Sequence, residues 1–411
     1  MLASLQSALG LAALIGLCVL LSERRGGIRA AIVARSLGLQ ILLAVLFLKL
    51  PGSAQVFLLL NDALTELQAA TEAGTSFIFG YIGGGEAPFN VTNPGASFIF
   101  AFQALPLVIV VSALSALLMY WKILPVVMRG FSFVLEKTLN IGGALGLAVS
   151  ANAFLGMVES PLLIRPYIEK LSRGELFGVM CAGMATIAGT MLALEASIIS
   201  AVVPNSLGHL ISCSIISLPA AIWVAHLLVP DDTPVTRGDQ AVASEADSSL
   251  DALTRGTQDG LQLYLNIIAM IIVVVALVFL ANSVLGLLPY EVTLERLLGW
   301  LLAPLALMVG IPWSEALVAG ELLGTRVVLT ELVAYVRLGA IDPAELSERS
   351  RILITYALCG FANLVGLGIM ISGLTTMAPS RRAEILALGF RSLIGGTIAT
   401  ATTAAIVGTM I

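Results

Sequence analysis

The sequence predicts an all-α, polytopic membrane protein with about eight transmembrane helices, two re-entrant hairpins, an interfacial helix and an inverted repeat. Three observations predict it: the composition, the spacing of long apolar stretches, and one pair of similar motifs. Of 411 residues, 58% are hydrophobic and 11% are charged, and the mean hydropathy is +1.00. Soluble domains carry about 25% charged residues and could not bury this much apolar surface in one core. Lipid is therefore the expected solvent, which excludes a soluble enzyme, a disordered chain and a secreted disulfide scaffold.

Apolar stretches long enough to cross a bilayer recur along the whole chain. A spanning helix needs about 20 mostly apolar residues. Eight stretches meet this requirement: 1–21, 31–50, 97–120, 176–200, 207–229, 261–285, 352–377 and 386–411. The first lacks the basic region that precedes the apolar part of a signal peptide, so we expect it to be a retained membrane helix.

Two further stretches, at about 138–170 and 301–338, are apolar but interrupted by glycine, proline and charged residues. Glu159 and Pro161 interrupt the first, and Pro312 is one of the interruptions in the second. Broken backbone at membrane depth is tolerated only where protein covers it or where it lines a watery cavity. Both stretches are therefore predicted to be re-entrant hairpins.

The remaining segments are more polar and connect these units. Residues 52–75 are amphipathic and predict a helix that lies along the membrane interface. The glycine-rich residues 80–96 predict a loop, and the polar residues 230–256 predict a flexible linker. We expect four regions: 1–137 (N-terminal spans, interfacial helix and part of a scaffold), 138–229 (first repeat), 230–300 (cytoplasmic linker, scaffold helix and external segment) and 301–411 (second repeat).

Basic residues predict the orientation, because lysine and arginine favour the cytoplasmic side of a membrane. They cluster after the first and third spans and before the fourth and the last. The residues are Arg24, Arg25, Arg29, Arg35, Arg129, Lys137, Lys170, Arg173, Arg381 and Arg382. Placing all of them inside puts both termini outside.

One internal similarity indicates a repeat. Ala185-Thr-Ile-Ala-Gly189 matches Ala362-Asn-Leu-Val-Gly366, and each motif lies in a span that follows an interrupted stretch. The order hairpin, broken span, plain span thus occurs twice, at 138–229 and 301–411, and the single span at 261–285 between them reverses the entry side of the second unit. Small-residue motifs also let helices pack closely. Here, however, each motif follows a charged hairpin. Such a pair is typical of the inverted repeat of a secondary transporter, whose site lies where the repeats meet.

Three acidic residues are expected within the membrane, where an ionised side chain costs about 2.5–3.5 kcal/mol on insertion scales. Glu159 and Glu331 occupy corresponding positions in the two hairpins and are predicted to face one shared cavity. The alternative is that each pairs with a neighbouring arginine, Arg165 or Arg326. Glu195 is either a proton carrier or an acid near the outer end of its helix.

Neutral oxygens accompany these acids at similar depth, on Asn152, Thr186 and Asn363. Carboxylates can accept hydrogen bonds from sugar hydroxyls or amines. Asparagine and threonine oxygens, with carbonyls freed by a broken helix, suit a small hard cation such as Na⁺.

The sequence gives no support for catalysis or nucleic-acid binding. It contains no HExxH, Gly-x-Ser-x-Gly or P-loop motif, and the glycine-rich GYIGGGEAP lacks the Lys-Ser/Thr that phosphate binding needs. The net charge is −5 and no basic tract is present, so a nucleic-acid partner is not expected.

Over essentially its whole length the chain resembles the concentrative nucleoside transporters. The motifs that carry the resemblance occur in family order. They are GTSFIFG (74–80), SANAFLG (150–156), ESPLLIRPYI (159–168), GELFGVMCAGMATIAGT (174–190), ALVAGELLGT (316–325), ELVAY (331–335), ALCGFAN (357–363) and MAPSRR (377–382). The resemblance implies a homotrimer in the membrane lipid, a scaffold that includes the helix at 261–285, and a transport domain that contains both hairpins and moves like an elevator.

The resemblance also implies the site residues. The side chains of Asn152 and Thr186 and the carbonyls of Leu155 and Ile187 would bind Na⁺. Glu331 and Asn363 would hold the ribose. The base would lie near Glu159, Phe361, Met157, Val158, Met191 and Gly366. No organic cofactor is implied.

The chain departs from the family pattern around the base. The family usually has Gly-Gln-Thr-Glu where this chain has Gly156-Met157-Val158-Glu159, and methionine and valine cannot hydrogen-bond to base edges. A family serine falls on Gly366. Further departures are Leu145 in place of a glutamate, Thr330 in place of an asparagine and Glu195 in place of a tyrosine. The presumed cation ligands are retained.

The expected function is therefore secondary active symport across a bacterial inner membrane, importing nucleosides or close analogues on a Na⁺ gradient. Asn152 and Thr186 favour Na⁺ as the coupling ion, whereas Glu195 is the argument for H⁺. A second hypothesis keeps the fold and changes the cargo to a modified base or another ribosylated metabolite. A third is a channel or a sensor that binds ligand without pumping.

Overall fold

The computed structural model describes residues 2–49, 53–90, 98–231, 235–236, 246–287, 292–342 and 344–411. All regular elements in these ranges are helices, which confirms the all-α prediction. Seven of the described helices are long and apolar enough to cross a membrane, or eight if one bent pair counts as a single span. This agrees with the predicted number of about eight.

The described residues of the N-terminal part form six α-helices: α1 (Leu2–Leu20), α2 (Ala30–Lys49), α3 (Ser53–Phe79), α4 (Phe100–Gln103), α5 (Leu107–Tyr120) and α6 (Ile123–Leu139). The helix predicted at 52–75 continues to Phe79. The span predicted at 97–120 is interrupted before Leu107, next to Pro106, whose ring nitrogen has no proton to donate. Residues 91–97, within the predicted loop at 80–96, lie outside the described residues.

Helix α6 was not predicted. Its buried residues Met128, Ser132, Leu135 and Leu139 recur every three or four positions, so one face packs on the protein. Arg129, beside this face, is exposed. With 17 residues, α6 is shorter than a typical span.

The first repeat contains α7 (Gly143–Asn152), α8 (Glu159–Leu162), α9 (Arg165–Ile168), α10 (Arg173–Ala185), α11 (Gly189–Ile199) and α12 (Ser206–Leu228). Helix α7 forms one arm of the first hairpin, residues 153–158 form its tip, and α8 and α9 form the returning arm. The Ser160 hydroxyl donates a hydrogen bond to the Ala148 carbonyl and joins the two arms. The order hairpin, broken span, plain span is confirmed here.

The rest of the chain contains α13 (Ser249–Leu285), α14 (Leu294–Val309), α15 (Trp313–Val328), α16 (Glu331–Ala340), α17 (Glu348–Leu358), α18 (Leu364–Met377) and α19 (Arg382–Met410). Helix α13 starts inside the predicted linker at 230–256, because the Ser248 hydroxyl caps it by accepting a hydrogen bond from the Asp251 backbone N–H. Its 37 residues extend over about 56 Å at the usual helical rise, which exceeds the thickness of a bilayer core.

The second hairpin is shorter than the predicted stretch at 301–338. Helix α14 is a separate element, bent by 117° relative to α15. The bend occurs at Gly310, whose φ of 108° lies in the left-handed region that favours glycine. Helices α15 and α16 therefore form the two arms, and residues 329–330 form the tip.

The two hairpins enter the molecule from opposite ends. At one end, here called the Arg173 face, Arg173 pairs with Glu23 at 2.9 Å, and Arg381 donates to the Ile168 carbonyl of the first hairpin at 2.8 Å. At the other end, the Arg349 face, Arg349 donates to the carbonyl of Gly310, which precedes the second hairpin, at 2.6 Å. The predicted inverted repeat is thus present in the fold.

Both chain ends lie at the Arg349 face. Arg349 donates to the carbonyl of Ala3 near the start of α1 at 3.3 Å, and to that of Gly408 near the end of α19 at 2.8 Å. The two described ends of the chain therefore share one side of the molecule, as the prediction of two termini on the same side requires.

Candidate functional site

The two broken spans meet at their breaks. The chain between α10 and α11 is extended at Thr186, and the chain between α17 and α18 passes beside it. The Phe361 backbone N–H donates a hydrogen bond of 3.3 Å to the Thr186 carbonyl. Gly360 permits the approach, since an added Cβ would lie 2.7 Å from the Met184 carbonyl oxygen. The repeats therefore cross where their backbones are interrupted, as expected for a transporter site.

Glu331 and Asn363 lie together at this crossing. The Asn363 amide nitrogen donates a hydrogen bond of 2.7 Å to the Glu331 carboxylate, and the Asn363 amide oxygen accepts one of 2.6 Å from the Gly366 backbone N–H. Glu331 is 3% exposed and Asn363 is 2% exposed. Because Asn363 uses its oxygen to cap α18, only its nitrogen can face Glu331, and the remaining carboxylate lone pairs stay available to a hydroxyl donor.

The expected alternative partner of Glu331, Arg326, does not form an ion pair with it. Arg326 is fully buried and donates from Nη1 to the Ala357 carbonyl at 2.6 Å and to the Thr400 hydroxyl at 3.1 Å. It acts on Glu331 only through its electrostatic field. Sequence reasoning treated Arg326 as a possible partner and did not detect its role in joining α15, α17 and α19.

Glu159 corresponds to Glu331 in position, since each begins the returning arm of its hairpin. The two carboxylates differ in surroundings: Glu159 is exposed and lies beside Gly156, whereas Glu331 is buried. Among the described residues Glu159 has neither a hydrogen bond to Glu331 nor an ion pair with Arg165. That Glu159 and Glu331 face one cavity stays a prediction.

The residues predicted to face the base are largely apolar and packed against glycines. An added Cβ at Gly366 would lie 3.2 Å from the terminal methyl of Met157, and one at Gly183 would lie 2.9 Å from the Met157 Cβ. An added Cβ at Gly373 of α18 would lie 2.9 Å from the Val158 side chain. The tip of the first hairpin therefore docks on α18 through Met157 and Val158. Two departures from the family pattern, at residues 157 and 366, are direct neighbours.

The other predicted base-pocket residues also lie in this part of the fold. Met191 is buried on α11, 6% exposed, and Phe361 is half-buried at the break before α18. Leu145, which replaces a family glutamate, packs on Gly178 of α10. Thr330 caps α16 by accepting a hydrogen bond from the Val333 backbone N–H.

The predicted cation ligands lie around the tip of the first hairpin. Asn152, Thr186 and Ile187 are each at most 1% exposed, and Leu155 is half-buried. The Phe154 carbonyl accepts a hydrogen bond of 3.0 Å from the Gly189 backbone N–H, which fixes this tip to the start of α11. The predicted Na⁺ ligands thus lie on two elements, the first hairpin and the break before α11, and this hydrogen bond joins the two.

The chemistry of these groups fits a hard monovalent cation. A cation would bind the amide oxygen of Asn152; the amide nitrogen of the same side chain has no hydrogen-bond partner in the described protein. The Thr186 hydroxyl donates its proton to the Ala182 carbonyl at 2.8 Å, which leaves its oxygen lone pairs free. Hard cations prefer such amide, hydroxyl and carbonyl oxygens. The buried hydroxyl of Ser150, also without a partner in the described residues, is an additional ligand candidate that the sequence pattern did not indicate.

Comparison with known proteins agrees with this architecture. Three family descriptions match in succession: "Na+ dependent nucleoside transporter N-terminus" over residues 9–82, "Nucleoside recognition" over 101–202, and "Na+ dependent nucleoside transporter C-terminus" over 209–408. The nucleoside permease NupC of Helicobacter pylori is 32% identical over 99% of this chain and 98% of its own. Human solute carrier family 28 member 3 is 33% identical over 90% of this chain and 55% of its own.

Solved structures are similar over almost the full length. CNTnw in an inward-facing substrate-bound state superposes with a TM-score of 0.91 at 34% identity, covering 98% of each chain. An outward-facing CNTnw variant gives a TM-score of 0.91 at 33% identity, covering 100% of this chain and 98% of the other. With its bacterial permease relatives and its apolar helices, the chain is a multi-pass inner-membrane protein and not an enzyme. It belongs to the concentrative nucleoside transporter family.

Proposed function

We propose that this protein is a Na⁺-driven symporter that imports nucleosides or close analogues. The observation that carries the proposal is the buried Glu331–Asn363 pair beside the hydrogen bond between Phe361 and Thr186. This arrangement puts a carboxylate acceptor at the point where the two repeats cross.

Glu331 and Asn363 are suited to bind the ribose of the nucleoside. An ionised carboxylate accepts hydrogen bonds only, so it pairs with donors such as the ribose hydroxyls. Hydrogen bonds to a charged acceptor are the stronger kind, contributing about 1.5–3 kcal/mol each. Asn363 keeps Glu331 in one orientation, and substrate therefore meets a preorganised acceptor.

Na⁺ would bind between the first hairpin and the break after α10, through Asn152, Thr186, Leu155 and Ile187. Binding there would tighten the contact between the hairpin tip and α11 that Phe154 and Gly189 already make. Because the same tip carries Met157 and Val158 to the base side of the pocket, the cation and nucleoside sites would be energetically linked.

The transport motion would be an elevator movement of both hairpins relative to a scaffold that includes α13, within a homotrimer. The outward-facing, intermediate and inward-facing states of the similar CNTnw support alternating access for this fold. The basic residues of the Arg173 face support a cytoplasmic position for that face, and both termini would then be outside.

A modified-base or other ribosylated cargo is a second candidate, supported by the packing of Met157 on Gly366. A site without polar readers of the base edge discriminates weakly between bases, since hydrogen-bonded readout supplies the large selectivities. The sugar end of the site would be unchanged in this alternative.

Ligand-induced stabilisation of the purified protein tests both cargo hypotheses. The melting temperature would be measured with a panel of nucleosides, modified nucleosides and free ribose, in Na⁺ and in choline. A ligand at 100 times its Kd stabilises by about 2.7 kcal/mol, so binding is readily seen. We expect stabilisation by nucleosides in Na⁺ only. Stabilisation by modified nucleosides alone would favour the second cargo, and no stabilisation at millimolar concentrations would contradict both.

A further inference from the structure

Glu195 is a buried acid to which the proposed transport cycle gives no role. It lies on α11, two turns beyond the break that contains Thr186, and it is 0% exposed. Neither of its carboxylate oxygens has a hydrogen-bond partner in the described part of the chain. Glu195 lies about one turn before the end of α11 at Ile199, so its place near that end does not bring it into contact with solvent.

The neighbours that could donate a hydrogen bond to Glu195 direct their protons elsewhere. Glu331 and Tyr335 on α16 and Cys359 at the end of α17 interact electrostatically with Glu195. The Tyr335 hydroxyl donates to the Thr355 carbonyl at 2.9 Å, and the Cys359 thiol is directed at the Leu210 carbonyl at 3.8 Å. Glu331 is itself an acid, so it repels an ionised Glu195.

The other packed elements do not supply a compensating cation. Helix α11 packs against α3, α5, α12 and α16. Their remaining ionisable residues are Asp62, Glu66 and Glu72 on α3, Tyr120 on α5, His209, Cys213 and His226 on α12, and Arg337 on α16. Arg337 forms an ion pair with Glu295 at 2.7 Å. The buried Arg326 donates from Nη1 to Ala357 and Thr400, and its charge acts on Glu331 rather than on Glu195.

Two buried carboxylates that interact cannot both be ionised without a large cost, and the one without hydrogen bonds gives up its charge first. Glu331 retains a donor in Asn363. Glu195 has none among the described residues. The geometry thus assigns the negative charge to Glu331 and the proton to Glu195.

We propose that Glu195 is a proton-binding site linked to the nucleoside site through Glu331, so that a proton accompanies Na⁺ and nucleoside. The inference rests on the proposed function for its coupling, but not for the proton site itself. In the binding step, the Glu195 carboxylate takes one proton from the compartment to which the site is open and becomes a neutral carboxylic acid. Glu331 then stays ionised and accepts hydrogen bonds from the sugar. After reorientation the acid releases the proton to the other side.

Linkage makes the proposal measurable, because a proton that favours nucleoside binding is taken up when nucleoside binds. Uridine binding to the purified protein would be followed by calorimetry in saturating Na⁺, between pH 5 and 9, in two buffers with different ionisation enthalpies. We expect little uptake at pH values where Glu195 is already protonated in the free protein, and net uptake approaching one proton per uridine at pH values above its titration range there. Above the titration range of Glu195, Kd should rise about tenfold per pH unit, as linkage to a single proton requires.

Glu195→Gln keeps the size of the side chain and imitates its protonated form. It should bind uridine with a pH-independent Kd and no proton uptake. Glu345→Gln, a change at an exposed position outside the site, should behave like the wild type. A flat Kd and no proton uptake in the wild type would overturn the inference without any variant, and so would unchanged proton uptake in Glu195→Gln.

Infrared spectroscopy separates this inference from the proposed function. A protonated buried carboxyl gives a C=O stretching band that an ionised carboxylate lacks. The band should be present in the wild type at neutral pH without substrate and missing in Glu195→Gln. If the band is absent from the wild type, the proton site is wrong even where Na⁺-dependent uridine binding is normal. If the band is present and no nucleoside binds, the proposed function fails and the proton site stands.

Discussion

The side chain of Asn363 both donates a hydrogen bond to Glu331 and caps α18. Its nitrogen donates to the Glu331 carboxylate at 2.7 Å, while its oxygen caps α18 through the Gly366 backbone N–H at 2.6 Å. The first bond links the second hairpin to the broken span, and the second fixes the direction of the amide. Movement of either element therefore changes the position of the Glu331 carboxylate.

Glu331→Gln should abolish most transport and leave the fold intact. The change preserves size but removes the negative charge, and losing a charge-assisted hydrogen bond to the sugar costs about 1.5–3 kcal/mol. We expect Kd for the nucleoside to increase by about 10- to 100-fold, measured by calorimetry. Size-exclusion chromatography should give the same oligomer as the wild type. A fully active variant would remove Glu331 from the site.

Asn363→Asp and Asn363→Ala should separate capping from substrate binding. Aspartate can still cap α18 but places a second buried carboxylate against Glu331, so one of the two must be protonated and nucleoside binding should be lost. Alanine removes the cap as well, which costs about 1 kcal/mol of stability. Melting temperature and nucleoside affinity would be measured for both. Equal melting temperatures for the two variants would show that the cap does not stabilise α18.

Thr186→Ala should weaken Na⁺ activation specifically, whereas Thr186→Ser should retain it. Alanine removes the hydroxyl oxygen that is available to the cation, while serine keeps it. The expected result is a higher Na⁺ concentration for half-maximal nucleoside binding in the alanine variant, with affinity in saturating Na⁺ close to the wild type. If the two variants have the same Na⁺ dependence as the wild type, Thr186 is not a ligand.

Restoring polar groups at the hairpin tip should increase affinity for common nucleosides. In Met157→Gln with Val158→Thr, the new amide and hydroxyl can hydrogen-bond to base edges, each contributing about 0.5–1.5 kcal/mol. Competition against labelled uridine uptake, with the four common ribonucleosides, measures the effect. Val158→Thr alone keeps the size of the side chain against Gly373 and separates the contribution of the hydroxyl from that of the amide. Unchanged affinities would mean that the pocket is shaped for a different cargo.

The sequence predicted the repeat because its signals are local. Apolar length identified the spans, and the two small-residue motifs located the breaks at Thr186 and Asn363. The start of the second hairpin was wrong because Pro304 and Pro312 are equivalent signals in the sequence, whereas in the structure α14 continues through Pro304 and the chain turns at Gly310. Helix α6 was missed because its 17 residues include Arg129, Glu136 and Lys137 and are fewer than a span needs.

The sequence predicted which residues belong to the candidate site but not which of their atoms are in contact. Family motifs named Glu331 and Asn363, but no sequence signal states that Asn363 also caps α18. Pairing of Arg326 with Glu331 was the alternative expectation, yet tertiary packing directs Arg326 to Ala357 and Thr400. The contact of Met157 with Gly366 joins positions 209 residues apart and becomes visible only in three dimensions.

Concentrative uptake of labelled nucleoside into vesicles tests the central claim most directly. One monovalent cation moving down 100 mV supplies about 2.3 kcal/mol, enough for about fifty-fold accumulation. Vesicles with an inward Na⁺ gradient should therefore accumulate uridine well above the external concentration, and Na⁺-free vesicles should not. Accumulation that persists without Na⁺ but collapses with the pH gradient would contradict Na⁺ coupling. Equilibration without accumulation would contradict symport and indicate a channel.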